Sequence, residues 1–372
     1  MTVKRKVYLS GVTWFLYSAS SFGAGYEFAK FNYTHLYSKE NKITLAYTRF
    51  HYNVDGRSPD GKSTGNVMDD LDYLQGGFNY HFNDKFSANL QFYRAHNLDT
   101  EHTKGMYQGS GAYLKTQVIA LTGLYHFTPN VSFFAGPTFN KTEIIVNFDN
   151  ALTRYNGRVR SDFGTDWGYG YTMGASYEIP EMGLRATLGY QSEVKFHFDN
   201  MKETGPIVNR RYHADSVTSS TEITMPRSIT FDFQTAIAPK TFLLANVHWR
   251  DWSSHQMETK VTKDLTKESF VTFAHDTFDY GLGFAHQLTP KLILFTEGVY
   301  GEGAGDSGVV NPLAPGNGST TVKLGGRYAI GDFSLFLVGG YIWLKDGTAK
   351  VGGTKFKDNT VTTLSTGFEY RF

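Results

Sequence analysis

The sequence predicts an all-β fold, namely a transmembrane antiparallel up-and-down β-barrel of the outer-membrane type with about 14 strands. Three observations predict it. The chain ends in an alternating strand with aromatic residues on one face and polar residues on the other. Short turns alternate with long polar segments along the chain. Aromatic residues make up 16% of the chain and 39 residues are glycine, a mixture that suits strands and interfacial girdles better than helices.

The terminal strand carries Phe368, Tyr370 and Phe372 on one face and the charged Glu369 and Arg371 on the other. A lipid-facing strand needs this arrangement because its apolar side contacts acyl chains and its polar side faces a wet lumen. The terminal aromatic residues resemble the signal by which bacterial outer-membrane proteins are recognised for assembly. We therefore expect the outer membrane of a Gram-negative bacterium as the location and the barrel-assembly machinery as a partner.

Composition excludes several other classes of protein. The formal net charge is +1, so there is no basic surface that would predict a nucleic-acid partner. Cysteine is absent, which excludes disulfides and cysteine-based metal sites, and no metal or cofactor is expected. Beyond the N-terminus there is no run of roughly 18 apolar residues, so helical membrane spans are not expected.

The N-terminus has the pattern of a secretory signal peptide, predicted for residues 1–23. Basic residues at 4–6 precede a mostly apolar stretch at 7–17, and small residues follow at the spacing of a cleavage site. A buried first helix is the alternative. The predicted organisation continues with a short N-terminal lumenal segment at 24–40 and a transmembrane barrel at 41–372.

Turn signals divide the barrel region into hairpins. Short turns are centred on Asn83-Asp84, Thr128-Pro129, Pro180-Glu181, Pro239-Lys240, Thr289-Pro290 and Gly331-Asp332. The longer polar segments are 54–67, 98–109, 147–162, 199–217, 304–316 and 346–358, and one further reversal near Lys263 to Lys267 is predicted to be brief. Strands are predicted around residues 47, 75, 90, 120, 139, 170, 189, 230, 246, 278, 296, 324, 338 and 366. A soluble β-sandwich is the alternative, but it would bury its aromatic face and keep its loops short at both ends.

Two late strands have apolar residues on the face that should line the lumen. Glu297 points inward because of its charge, which turns Ile293, Phe295 and Val299 inward with it. In the 333–344 strand both faces are apolar. Such an inner face either packs around a plug or lines a path for an apolar ligand. Both interpretations imply an occluded lumen and disfavour a wide general porin.

The segment 225–240, MPRSITFDFQTAIAPK, leads to Trp249-Arg250-Asp251-Trp252-Ser253 and then to 278–290, FDYGLGFAHQLTP. Together with the terminal GFEYRF at 367–372, these stretches resemble the FadL family of outer-membrane long-chain fatty-acid transporters. The resemblance implies a fourteen-stranded barrel that passes hydrophobic molecules by diffusion. It further implies capture by outer loops, an apolar lumenal pocket, sideways exit through a gap in the wall into the lipid, and an N-terminal hatch in the lumen.

This chain departs from the family at the hatch. Few residues separate the predicted cleavage site from the first strand, and no Asn-Pro-Ala sequence occurs among them. We therefore expect a reduced plug, made from the aromatic-rich segment between Tyr26 and Tyr37.

A fatty-acid carboxylate in an apolar lumen would need a cation, because a buried unpaired charge is costly. Strand parity favours Arg250 and Lys323 as the cations, with His248 and Arg327 as secondary candidates. The alternative for each is a lumenal ion-pair network with Asp232, Asp279, Glu297 and Glu369. The predicted wall for the acyl chain consists of Phe295, Val299, Phe336, Ile342 and Leu344.

Gly136 and Pro137 lie inside a predicted strand, where proline removes a ladder hydrogen bond that a closed barrel cannot replace at an edge. They predict either a kink or lateral opening for a lipophilic ligand, or a local bulge.

The predicted function is passive outer-membrane transport of hydrophobic molecules such as long-chain fatty acids, in contact with outer-membrane lipids. The alternatives are a general or small-solute porin and, less favoured, an outer-membrane phospholipase or protease. Neither Gly-x-Ser-x-Gly nor His-Glu-x-x-His occurs, so no catalysis is expected.

Overall fold

The computed structural model describes residues 26–38, 40–155, 157–257, 259–267 and 271–372. The predicted signal peptide lies outside them. Within the described residues, fourteen antiparallel strands close into one barrel, as predicted. The first and last strands pair along their whole length, from Lys42 with Arg371 to Asn53 with Thr360.

The wall strands are numbered β1 to β14 in chain order, and β7 and β8 each consist of two segments. They are β1 Lys42–Asn53, β2 Leu71–His81, β3 Phe86–Glu101, β4 Gly111–His126, β5 Val131–Phe148, β6 Val159–Ile179, β7 Leu184–Gln191 with Val194–Thr204, β8 Ser216–Met225 with Ser228–Ala238, β9 Thr241–Arg250, β10 Thr277–Gln287, β11 Leu292–Gly301, β12 Ser319–Ile330, β13 Phe333–Leu344 and β14 Thr360–Arg371.

The remaining short elements lie in the N-terminal segment and in the connections between wall strands. The helices α1 and α2 span Pro206–Tyr212 and Lys260–Leu265, and single 3-10 turns span Tyr33–Tyr37, Asn150–Leu152, Pro180–Met182, Trp252–Ser254 and Asp306–Gly308. Short strands outside the wall are Gly56–Arg57, Gln256–Met257, Val271–Thr272, Val309–Val310, Gly347–Ala349 and Lys355–Phe356. No helix among the described residues is long and apolar enough to cross a membrane.

The predicted brief reversal near Lys263 to Lys267 is wrong. Residues 251–276 form a long outer segment that contains α2 and a small hairpin. The apolar residues Val261 and Leu265 of α2 are buried against Ile207 and Val208 of α1. The outer segments therefore have a small apolar core of their own, which a brief reversal could not form.

Side-chain facing follows the predicted alternation. On β8, Ile229 and Phe231 are exposed, whereas Thr230 and Asp232 are buried. On β14, Glu369 is 3% exposed, and Phe372, which follows the strand directly, is 55% exposed. The outer face is therefore apolar and fits acyl chains, and the inner face carries the polar groups.

Rings at the periplasmic end join neighbouring strands around the terminal residue. Tyr370 stacks on Phe333 with ring centroids 4.6 Å apart, and Phe372 stacks on Phe78 of β2 at 6.2 Å. The predicted assembly residues Phe368, Tyr370 and Phe372 thus belong to an outward aromatic band near the short turns.

The N-terminal segment lies inside the barrel. Tyr26, Phe28, Phe31 and Leu36 are fully buried and belong to the main apolar core, which they share with inward residues of the wall strands and with residues of the outer segments. We refer to residues 26–38 as the plug.

Candidate functional site

The plug hydrogen-bonds to β3 where that strand leaves its neighbour in the wall. The ladder between β2 and β3 runs from His81 and Ser87 to Gly76 and Phe92 and then stops. Above that point β3 has a bulge between Arg94 and His96 in its pairing with β4. A bulge bends a strand and lets it turn away from its partner.

The backbone groups of β3 at this bend are satisfied mainly by the plug, whereas Arg94 N donates to the Tyr73 hydroxyl of β2 at 3.3 Å. Phe28 N donates to Ala95 O at 2.7 Å, and Asn97 N donates to Tyr26 O at 2.9 Å. The plug therefore takes the place of β2 as the partner of β3. This substitution matters in a membrane protein because an unpaired backbone group in a dry environment costs several kcal/mol.

The result is a gap in the wall between Leu71–Gln75 of β2 and the bent part of β3, which we call the lateral mouth. The gap joins a groove of about 300 Å³ on the membrane-facing surface, lined by Tyr73, Leu74, Phe92, Tyr93, Arg94 and Ile119 among others. Leu74 is 52% exposed to the outside, whereas Tyr73 is buried on the lumenal side. The groove thus passes from the outer surface into the wall.

A second cavity lies in the lumen between the plug and the wall. It measures about 50 Å³, and Glu27, Tyr93, His96, Gln191, Arg250 and Trp252 contribute to its lining. Tyr93 lines both cavities, and its hydroxyl accepts a hydrogen bond from Gln191 Nε2 at 3.0 Å. Because about 50 Å³ holds a few water molecules and no acyl chain, passage of a larger ligand requires Tyr93 or the plug to move.

The two leading cation candidates are bound to carboxylates. Arg250 is fully buried and pairs with Glu27 of the plug and with Asp279, 2.6 Å away. Lys323 donates to Glu297 at 2.9 Å, and Asn246 donates to the same carboxylate at 3.3 Å.

The secondary candidates are also paired. His248 lies 3.2 Å from Glu27, and its Nδ1 is 2.7 Å from Thr230 Oγ1. Arg327 donates to Glu369 at 3.0 Å, and the same carboxylate accepts from Lys42. The four candidates therefore have the geometry of the alternative interpretation, a lumenal network with carboxylates.

The predicted apolar wall is divided between two clusters. Phe295 and Phe336 pack near the periplasmic turns with Phe242, Leu244 and Ile293. Ile342 belongs to the main core, and Leu344 packs against it. Val299 is buried on the same face of β11 as Phe295. All five side chains are thus at least partly buried within the barrel, and four of them are divided between the two clusters.

Gly136 and Pro137 lie on β5, where the ladder with β4 is interrupted. Pairing stops at Ala120 and Thr138 and resumes at Gly123 and Ala135 without a change of register. A Cβ at Gly136 would lie 1.8 Å from Leu121 O, so only glycine fits. The ladder with β6 continues through both residues. The interruption is local, and the wider gap is the lateral mouth.

Three residues of the lateral mouth and the lumenal cavity were not identified from the sequence, namely Glu27, Tyr93 and Arg94. Arg94 had a detectable signal, because it follows Phe86, Leu90 and Phe92 on the outward face of β3, where a charge is unexpected. Glu27 and Tyr93 had none, since their roles depend on how the plug meets the wall.

Comparison with known proteins identifies the family. Residues 29–355 match the family model described as outer membrane protein transport protein (OMPP1/FadL/TodX). No curated protein matches the chain.

Solved structures share the fold at low identity. A FadL homologue of Pseudomonas aeruginosa is 14% identical, with a TM-score of 0.73 over 92% of this chain and 93% of that one. The toluene transporter TodX of P. putida is 11% identical, with a TM-score of 0.66 over 90% of both chains. The toluene transporter TbuX of Ralstonia pickettii is 13% identical, with a TM-score of 0.63 over 91% of both. The chain, a closed barrel with a lumenal plug and a gap in its wall, thus belongs to the OMPP1/FadL/TodX family of outer membrane transport proteins.

Proposed function

We propose that this protein is a passive channel through which long-chain fatty acids and similar hydrophobic molecules cross the outer membrane, without chemical change. The lateral mouth is the observation that carries the proposal. A gap that opens on the acyl-chain face of the wall serves a ligand that partitions into lipid and is of no use to a water-soluble solute.

The contents of the lumen also support a hydrophobic cargo. The plug occupies the barrel, and Phe295, Phe336 and Val338 form an apolar cluster near the periplasmic end. A polar solute would have to cross this cluster without hydrogen-bond partners, at a cost of several kcal/mol for each polar group. This argues against the general porin. In the proposed route the cargo enters between the outer segments, passes Tyr93 and leaves through the lateral mouth.

Monoaromatic hydrocarbons are the second candidate cargo. TodX and TbuX are described as toluene transporters, and CymD, with a TM-score of 0.58, as a monoaromatic hydrocarbon channel. Because these proteins have low identity to this chain, the residues of the site must decide whether the cargo is an aromatic ring or an acyl chain.

Uptake into proteoliposomes tests the proposal. With purified protein, we expect saturable entry of oleate or toluene and no entry of glucose. In planar bilayers the same preparation should give no large, steady ionic current, because the plug fills the lumen. Glucose entry or a large steady current would replace the proposal with the porin.

A further inference from the structure

Around the lateral mouth, the outward faces of four neighbouring strands change from apolar to polar at one level. Going outward, Leu74 is followed by Asp72 on β2 and Phe92 by Arg94 on β3. Ile119 is followed by Gln117 on β4, and Phe139 by Lys141 on β5. Such a boundary marks where acyl chains give way to lipid headgroups. The groove of about 300 Å³ crosses this boundary and is lined by residues from both sides of it.

Arg94 stands at the polar side of the groove with unused hydrogen-bonding capacity. Its Nη1 donates to Asn97 Oδ1 at 2.9 Å, and its guanidinium lies 5.9 Å from the centre of the Tyr73 ring. Its Nε is buried and has no hydrogen-bond partner. Among the described residues, no carboxylate oxygen lies within 4.0 Å of Arg94, whereas Arg250 and Arg327 each contact one.

A buried guanidinium N–H without a partner is costly, so this position favours a ligand that supplies an acceptor. The planar fork of arginine matches a carboxylate, which can accept two parallel hydrogen bonds. Lys141 adds a second positive charge on the same side, where its Nζ lies 5.9 Å from the Trp167 ring centre. On the periplasmic side of these two cations, the groove is lined by apolar side chains.

We propose that this groove is a binding site for a single-chain carboxylate amphiphile. In this site Arg94, supported by Lys141, binds the carboxylate, and Leu74, Phe92, Ile119 and Phe139 contact the first part of the chain. The inference rests on the proposed function and makes it more specific, since the site selects fatty acids over neutral hydrocarbons as the cargo leaves the wall. A neutral ring offers no acceptor to Arg94.

Trp167 lines the groove and reports occupancy. Dibromostearate should quench its fluorescence in the purified protein. The part of the quenching that is absent from the Trp167→Phe variant is the contribution of Trp167. We expect Arg94→Gln to weaken dibromostearate binding about tenfold, the size of one charge-assisted hydrogen bond, and to leave the methyl ester of the same acid unchanged. Arg49→Gln is the matched control, because Arg49 is an outward arginine of β1 that pairs with Asp70 outside the groove.

Three results would overturn the inference. The first is equal affinity of the unmodified protein for the acid and its ester, and the second is unchanged acid binding by Arg94→Gln. The third is stronger, Arg94-dependent quenching by brominated phosphatidylglycerol, which would assign the site to a bilayer lipid. Uptake of oleate and methyl oleate by proteoliposomes of the unmodified protein separates the two proposals. If the unmodified protein takes up both compounds but binds the acid no more tightly than the ester, only the site is refuted, and if it takes up neither compound, the channel is refuted.

Discussion

Glu27 connects the plug to the wall. Its carboxylate pairs with Arg250 and His248, both on β9. Arg250 and His248 are almost completely buried, so little solvent screens these contacts. We infer that this cluster holds the plug in the lumen.

Glu27→Gln should therefore loosen the plug. Asp279 still pairs with Arg250 in this variant, so the loss is that of one hydrogen bond between charged groups, about 1.5–3 kcal/mol, which would raise the population of the displaced plug roughly ten- to a hundredfold. Single-channel recording should show more frequent openings. Glu40→Gln is the control, because Glu40 pairs with Arg371 at the exposed periplasmic end. Equal opening frequencies in the two variants would remove Glu27 from this role.

Lys323 and Glu297 are predicted to support the barrel rather than bind ligand. Lys323→Met should lower the free energy of unfolding by about 3–5 kcal/mol, because it leaves Glu297 buried and unpaired. Adding Glu297→Leu should restore most of the loss. Urea unfolding followed by tryptophan fluorescence measures both effects. A Lys323→Met variant of normal stability with weakened oleate binding would instead assign Lys323 to the ligand.

At the scale of elements, the bend in β3 and the plug depend on each other. The β3 backbone needs the donors and acceptors of residues 26–29, and the plug gains a fixed position from them. Strand existence and facing could be predicted from alternation alone, because the membrane imposes one apolar face on every strand. The bend in β3 could not be predicted, since a bulge leaves no periodic pattern in the sequence and the plug that pairs with it is distant in sequence.

The outer segment 251–276 reaches the plug through His255, which predicts a pH dependence. His255 Nδ1 donates to Thr224 O at 2.6 Å, and its Nε2 accepts from the Tyr26 hydroxyl. Burial lowers the pKa of His255 to about 4. A lowered histidine pKa means that the closed contact is fully stable above about pH 6.5 and weakens as the pH falls to about 4, by about 3 kcal/mol in all.

The fluorescence of Trp252, which packs on Tyr26 and His255, measures this opening. We expect a red shift of its emission between pH 6.5 and 4. His255→Gln, which cannot be protonated, should abolish the shift. Because burial also lowers the pKa of His102, in another outer segment, a shift that persists in His255→Gln would assign the effect elsewhere.

The terminal strand predicts a defect in assembly. Phe372→Ala removes the last ring of the outward aromatic band and should lower the fraction of heat-modifiable, folded barrel in the outer membrane severalfold. Phe284→Ala is the control, since it removes an outward ring of similar exposure on β10, away from the terminus. Equal folded fractions would show that the terminal ring is dispensable for recognition.

At the scale of the whole molecule, the barrel was more predictable than its site. Strand number, facing and the alternation of short and long connections follow from spanning a membrane, which constrains every strand in the same way. The cation candidates followed parity correctly to the lumen, but parity cannot distinguish a residue that is free to bind a ligand from one paired with a distant carboxylate such as Asp279 or Glu297. Which carboxylate a lumenal cation contacts depends on how the strands are aligned in the folded barrel. The location of the gap in the wall depends on the same alignment.

The central claim is that cargo leaves through the lateral mouth. Because the chain has no cysteine, a single engineered thiol can be modified selectively. Leu74→Cys places a thiol at the mouth, and Leu324→Cys places one on the lipid face of β12, where Leu324 is 67% exposed. Both variants are reconstituted and treated with a bulky maleimide, and oleate uptake is measured before and after modification. We predict that modification blocks uptake through the Leu74→Cys variant and leaves the Leu324→Cys variant unaffected. Undiminished uptake through fully modified Leu74→Cys would contradict the lateral route.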